Sequence, residues 1–193
     1  QKTKLQVYFS VNFIVFLLAF FVSIRAVLFF SCYIFLIWFY SHKLKKIVVI
    51  GNLTASLLAV LPFFAILLYF KNFYHVIFAH ATFLYLLILI REMIKDLENI
   101  KGDIANDYQT IPVIFGENFS KKIITFLTIS TIIPIYFLIE IFEVGYMDIY
   151  FYVSMIILIF FLQKLWKSET KSDYLKLHNI LKFIVVSGVF RSE

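Results

Sequence analysis

The sequence predicts an all-α integral membrane protein, a multi-helix transmembrane bundle, from three observations. Of its 193 residues, 62% are hydrophobic and 20% aromatic, and only five are glycine; the mean hydropathy is +0.91, far from the composition of a soluble domain. Phe, Ile and Leu fill runs that approach the ~20 helical residues needed to cross a hydrocarbon core of about 30 Å. These runs do not alternate polar with apolar residues, as the strands of a membrane β-barrel must.

Flanking charges mark off seven apolar segments, at roughly 5–24, 26–41, 47–70, 73–94, 121–142, 149–166 and 175–190. Arg25 separates the first two, of which the second is short. The third carries Pro62, which a membrane helix tolerates as a kink when a neighbour satisfies the freed carbonyl. The fourth runs into a charged stretch, Arg91 to Gly116, and the last three are closed off by lysines. No repeat and no Pro/Ser/Gly-rich linker divides the chain, so 1–193 reads as a single transmembrane domain. The lone Cys32 excludes an internal disulfide and a cysteine zinc cluster. No signal peptide is read at the start, and a first residue Gln1 suggests a natural chain that begins earlier.

Lysine and arginine set the expected orientation. With the N-terminus inside, the inner regions hold fourteen basic residues: Lys2, Lys4, Lys43, Lys45, Lys46, Arg91, Lys95, Lys101, Lys121, Lys122, Lys164, Lys167, Lys171 and Lys176. The outer regions hold three, Arg25, Lys71 and Arg191. The charged stretch is therefore expected on the cytoplasmic side of the cell's inner membrane. Contact with anionic headgroups accounts for the net charge of +6, so nucleic acid is not an expected partner. The sequence gives no oligomeric state.

REMIKDLENIKGDIANDYQTIPVIFG places eight charged side chains in an otherwise apolar chain. If the fourth helix continues through it, about 100° per residue brings Glu92, Asp96, Asn99 and Asp103 within roughly 60° of one another. Glu98 then points nearly opposite and Lys95 lies about a quarter-turn away. Gly102 and the pair Asn106-Asp107 are places for the helix to loosen or end. Two readings stay open. Stacked carboxylates repel unless a cation sits between them, and Mg²⁺ takes one or two carboxylates together with substrate phosphates. Alternatively, the stretch is a solvated loop whose acidic and basic residues pair along a helix for a few tenths of a kcal/mol each. Placement at a membrane helix end suits a substrate with an anionic head and a long apolar tail, such as an isoprenyl diphosphate.

The run R91-E-M-I-K-D-L-E-N-I-K-G-D followed by T110-I-P-V-I-F-G116 resembles the second aspartate-rich motif of the UbiA superfamily of intramembrane prenyltransferases. The earlier Y40-S-H-K-L-K-K with G51-N-L is similar to that family's loop between its fourth and fifth helices. The resemblance implies about seven helices of a nine-helix fold. Its first motif, NDxxD, is absent, which implies an N-terminally incomplete domain. Asn99 stands where relatives often carry Asp.

By the same resemblance, the activity is Mg²⁺-dependent transfer of a polyprenyl group from an isoprenyl diphosphate to a lipophilic or aromatic acceptor within the membrane. The pattern is closest to the branch resembling geranylgeranylglyceryl-phosphate geranylgeranyltransferases. Asp96, Asp103 and Lys45 are then the catalytic candidates. Asp96, Asn99, Asp103 and Glu92 are the metal candidates. Tyr40, Lys45, Lys95, Lys121 and Lys122 would touch the substrate's head group. Arg91 is expected to snorkel or pair locally, and His42 and His178 to be solvated or interfacial. A competing reading is a non-catalytic membrane protein, a small transporter or structural subunit with a charged cytoplasmic loop.

Overall fold

The computed structural model describes residues 2–70 and 74–189. Gln1, Lys71 and Arg191, which entered the reading of the chain start and the charge count, lie outside the described residues. Those described are helical and joined by short turns, with no strand among them. α1 is Lys2–Val22, α2 Ile24–His42, α3 Ile50–Phe70 and α4 His75–Glu98. Next come the short α5 (Ile100–Ala105) and α6 (Ile111–Phe115), then α7 (Glu117–Ser130), α8 (Ile132–Tyr136), α9 (Met147–Lys167) and α10 (Lys171–Val189). Among the described residues each expected apolar segment lies mostly on helix, with 47–49 a turn before α3, and the bundle is all-α. Among the described residues, four stretches are long and apolar enough to span a bilayer: Ile24–His42, His75–Glu98, Glu117–Ile141 and Met147–Lys167. Gln6–Val22 and Ile50–Ala65 are shorter apolar helices.

The fifth segment is less regular than its hydropathy suggests. Pro134 has no N–H to continue the ladder, and the hydroxyls of Thr128 and Thr131 donate back to the carbonyls of Ile124 (2.8 Å) and Thr128 (2.6 Å). The segment passes from α7 through α8 into a π-helical turn, Phe137–Ile141.

Pro62 likewise sits inside α3 and leaves the Leu58 carbonyl without its helical donor. Tyr33 on α2 fills that gap, its hydroxyl donating to the Leu58 oxygen at 3.0 Å. A polar group freed in hydrocarbon is thus satisfied by the neighbouring helix.

α4 is the axis of the bundle, packed against α3 on one side and against α7, α8 and α10 on the other. Its buried Leu87, Ile90, Met93, Ile94 and Leu97 recur at helical spacing and meet Ile124, Leu138, Leu177 and Leu181. α9 joins through Phe151, Phe161 and Leu165. Outward side chains such as Phe126, Phe160 and Phe183 remain exposed and apolar, as a lipid-facing surface requires. Because lipid competes equally well for apolar side chains, close packing rather than burial itself selects the contacts. Tyr150 on α9 shows this: its hydroxyl donates to the Ile184 carbonyl of α10 at 2.9 Å, and a Cβ at Gly188 would lie 2.9 Å from that hydroxyl. α10 begins with a capping box, where the Thr170 hydroxyl donates to Asp173 at 2.7 Å and accepts from its backbone N–H at 3.3 Å.

α3 starts where α4 ends, so the turn after α2, the first turn of α3, the last turn of α4 and the 99–110 segment meet at one end of the bundle.

Candidate functional site

The helix carrying the acidic residues runs on past the apolar segment with one break. Asn99 leaves helical geometry at φ −119° and ψ 22°. The ladder resumes when the Asp103 N–H donates to the Asn99 carbonyl at 2.9 Å, forming α5. α5 then closes with a Schellman motif: Asp107 takes a left-handed φ of 55°, its N–H reaches Ile104 at 3.2 Å, and the Tyr108 N–H reaches Asp103 at 2.9 Å. The expected end at Asn106-Asp107 is where the helix stops, while Gly102 lies inside α5. This reversal turns Tyr108, Gln109 and Thr110 back toward α4.

A cavity of about 280 Å³ opens between these elements. It is lined by Glu92, Asp96, Asn99 and Asp103 from α4 and α5, and by Asn52 from α3. Tyr40, Lys45, Lys95, Tyr108 and Thr110 complete its wall and mouth. The four acidic-face residues expected from spacing therefore share one cavity with Tyr40, Lys45 and Lys95. Lys121 and Lys122 are not among its lining residues. Lys121 is 5% exposed and donates to the Ser168 carbonyl at 2.7 Å, capping the end of α9; Lys122 is exposed. Glu98 touches the rim, but its carboxylate lies 3.5 Å from His178 Nδ1 on α10.

His178 is thus largely buried beside Glu98 rather than solvated, and Arg91 reaches it across the helix interface rather than an acid of its own helix. Arg91 Nε donates to His178 Nε2 at 2.8 Å. The packing of α10 on α4 brings the two groups together and offers the guanidinium an acceptor where water is scarce.

Neutral donors hold the two aspartates. The Asn52 amide donates to Asp96 Oδ2 at 2.7 Å. The Asn99 amide donates to Asp103 Oδ1 at 3.1 Å, and the Thr110 hydroxyl donates to Asp103 Oδ2 at 3.2 Å. Asp103 is only 6% exposed, so these bonds offset part of its desolvation without cancelling its charge. Glu92 is paired with Lys95 at 3.1 Å. The Lys45 ammonium rests 4.8 Å from the centre of the Tyr108 ring. Among the described residues no three His, Cys, Asp or Glu side chains are gathered tightly enough to cage a metal by themselves. The donor set is nonetheless that of a hard divalent cation completing its shell with water and phosphate: carboxylate oxygens, an amide, and nearby ammonium groups for an anion.

Asn52, Tyr108 and the Thr110 hydroxyl are site residues that the sequence reading left without a role. G51-N-L and T110-I-P were visible as motif pieces, but nothing local marks the Asn52 amide as a partner for Asp96. Nothing singles out Tyr108 among twelve tyrosines either.

Residues 2–184 match the profile of the UbiA prenyltransferase family. The digeranylgeranylglyceryl phosphate synthase of Methanosphaera stadtmanae is 30% identical over 153 residues, which is 75% of this chain and 56% of that protein. That of Methanobrevibacter smithii is 29% identical over 167 residues, 80% of this chain and 58% of the relative. That of Pyrococcus furiosus is 34% identical over 118 residues, 61% and 42% of the two chains. The chain thus spans a little over half the length of the first two relatives. No solved structure matches the chain.

Proposed function

The chain belongs to the UbiA prenyltransferase family, and on that footing we propose that its acidic cavity is the diphosphate end of an enzyme that transfers a polyprenyl group within the membrane. Residues 1–193 contribute to this as a single transmembrane domain. The observation that carries the reading is the convergence of Glu92, Asp96 and Asp103 on one cavity with Lys45 at its mouth. That cavity lies at the end of an apolar bundle rather than near its middle, where a carrier's substrate site would sit. A prenyl diphosphate fits this layout, with its charged head among the polar groups and its tail along the helices.

Asp96 and Asp103, with Asn99 and Glu92 in support, would hold Mg²⁺ there. A Mg²⁺ held by these residues would supply neutralisation of the leaving diphosphate's charge. Lys45 and Lys95 bind the phosphate oxygens, and the Tyr40 hydroxyl orients them. Preplaced groups of this kind favour the transition state because charge grows on the leaving group as its bond weakens, and they act most strongly where water is scarce. The name shared by the relatives points to a geranylgeranylglyceryl phosphate as acceptor and to a geranylgeranyl group as the one transferred. The fourteen-to-three division of basic residues supports a cytoplasmic site in the cell's inner membrane.

The test is release of diphosphate from labelled geranylgeranyl diphosphate by the full-length protein, in membranes free of other prenyltransferases, with geranylgeranylglyceryl phosphate supplied. Mg²⁺-dependent release that disappears in Asp96→Asn is the expected result. Release that ignores both Mg²⁺ and the substitution would overturn the assignment.

A further inference from the structure

The cavity sets Lys45 and Lys95 beside Glu92, Asp96 and Asp103, yet the lysines behave differently. Lys95 is neutralised by Glu92 at 3.1 Å. Lys45 lies within 4.0 Å of no carboxylate among the described residues; its ammonium sits 4.8 Å from the centre of the Tyr108 ring, with Lys46 5.9 Å away on the same ring. A flexible ammonium near a carboxylate that has no basic partner, as Asp103 has none among the described residues, is drawn onto it by Coulomb attraction, and such a collapse would occupy the carboxylate and cancel the charge an anion needs. The electron-rich face of an aromatic ring offers a competing rest that uses no carboxylate.

The ring is fixed in that place. The left-handed Asp107 and the 2.9 Å bond from the Tyr108 N–H to the Asp103 carbonyl set Tyr108 in the turn that follows the buried aspartate. The opposite strand of the mouth is equally constrained. Gly51 donates to the Ile47 carbonyl at 2.9 Å, and a Cβ on Gly51 would come within 3.1 Å of the Lys45 carbonyl oxygen.

We propose that Tyr108 is a positioning residue that holds Lys45 at the cavity mouth, free of the carboxylates and available to the diphosphate head. This rests on the reading of the cavity as a diphosphate site. Moving Lys45 from ring to phosphate takes only side-chain rotation, so the ligand replaces a weak cation–π contact with a strong ion pair.

The test is a double-mutant cycle on the full-length protein in lipid vesicles, titrated with inorganic diphosphate in the presence of Mg²⁺. The variants are Tyr108→Leu, Tyr108→Phe, Lys45→Gln and the Leu/Gln double substitution. Tyr108→Leu is expected to weaken diphosphate binding about two- to five-fold. Tyr108→Phe, which keeps the ring face, should bind as the parent does. Adding Tyr108→Leu to Lys45→Gln should cost nothing more. In turnover, Tyr108→Leu should raise KM for the prenyl diphosphate and leave kcat within about two-fold. An equal loss on top of Lys45→Gln, or a Phe variant as weak as Leu, would overturn the role of the ring face. Normal binding by Tyr108→Leu would overturn the proposal while leaving the diphosphate site standing. A parent protein that does not bind diphosphate would remove both.

Discussion

Asn52, in the first turn of α3, donates its side-chain amide to Asp96 Oδ2 at 2.7 Å across 44 residues of sequence. Asn52 is only 8% exposed, so the bond ties the orientation of one carboxylate to the packing of α3 on α4. The amide brings no charge of its own and fixes one carboxylate oxygen of Asp96 toward α3.

From this contact, Asn52→Leu should free Asp96 to rotate and deprive it of a charge-assisted bond worth about 1.5–3 kcal/mol. At limiting Mg²⁺ the expected loss in kcat/KM is roughly ten- to a hundred-fold. Unchanged kcat/KM at low Mg²⁺ would show that Asp96 does not depend on Asn52.

The carboxylates should separate by the partners they face. Asp96→Asn and Asp103→Asn remove charge from the cavity and are expected to abolish Mg²⁺-dependent prenyl transfer. Glu98→Gln alters a group that faces His178 on α10, so its effect on turnover should stay within a few-fold. Equal losses in all three would mean that the cavity does not sort these residues by role.

Much of this arrangement was legible before any packing was known. Spacing alone puts Glu92, Asp96, Asn99 and Asp103 on one face, because a helix repeats that face whatever surrounds it. Pro62 likewise announces an orphaned carbonyl. What stayed hidden depended on contacts between elements. Tyr33 supplies the missing donor from another helix, and Asn52 meets Asp96 only because α3 packs on α4. The reversal that presents Tyr108 uses Asp107 in a left-handed conformation normally signalled by glycine. Lys121, at the start of an apolar run, reads as a cation for the substrate's head group, but it is buried against the carbonyl end of α9, which its charge complements.

Gly102 gives a prediction in which stability and activity move in opposite directions. A Cβ there would fall 2.6 Å from Asn99 Oδ1, so Gly102→Ala must push the Asn99 side chain away from Asp103. The side chain can move, and alanine is favoured over glycine in a helix by up to ~1 kcal/mol. Thermal stability should hold or rise while Mg²⁺ affinity falls about three- to ten-fold, as expected where the amide-to-carboxylate bond is weakened by about 1 kcal/mol rather than lost outright. A drop in stability with Mg²⁺ affinity intact would contradict the account of Asn99.

Sidedness can be read from Asn106, an exposed residue at the end of α5. A cysteine placed there, with Cys32 replaced by alanine, should react with a membrane-impermeant maleimide only from the cytoplasmic face. Labelling from outside intact cells would invert the topology argued from the basic residues.

The Tyr33 contact makes a prediction about the bundle itself. Tyr33→Phe removes the hydroxyl that donates to the Leu58 carbonyl, which Pro62 has deprived of its i+4 helical bond. Membrane hydrogen bonds of this kind contribute about 0.6 kcal/mol on average and up to about 1.7, and a carbonyl with no access to water should lie toward the upper end. Pro62→Ala restores an N–H four residues after Leu58, so the carbonyl then has a donor within α3. In that background Tyr33→Phe should cost almost nothing, and the coupling between the two sites should equal most of the single-mutant loss. Unfolding of the four proteins in mixed detergent micelles measures the cycle. Equal destabilisation by Tyr33→Phe with and without Pro62 would mean that the hydroxyl stabilises the bundle by some contact other than the carbonyl freed by proline.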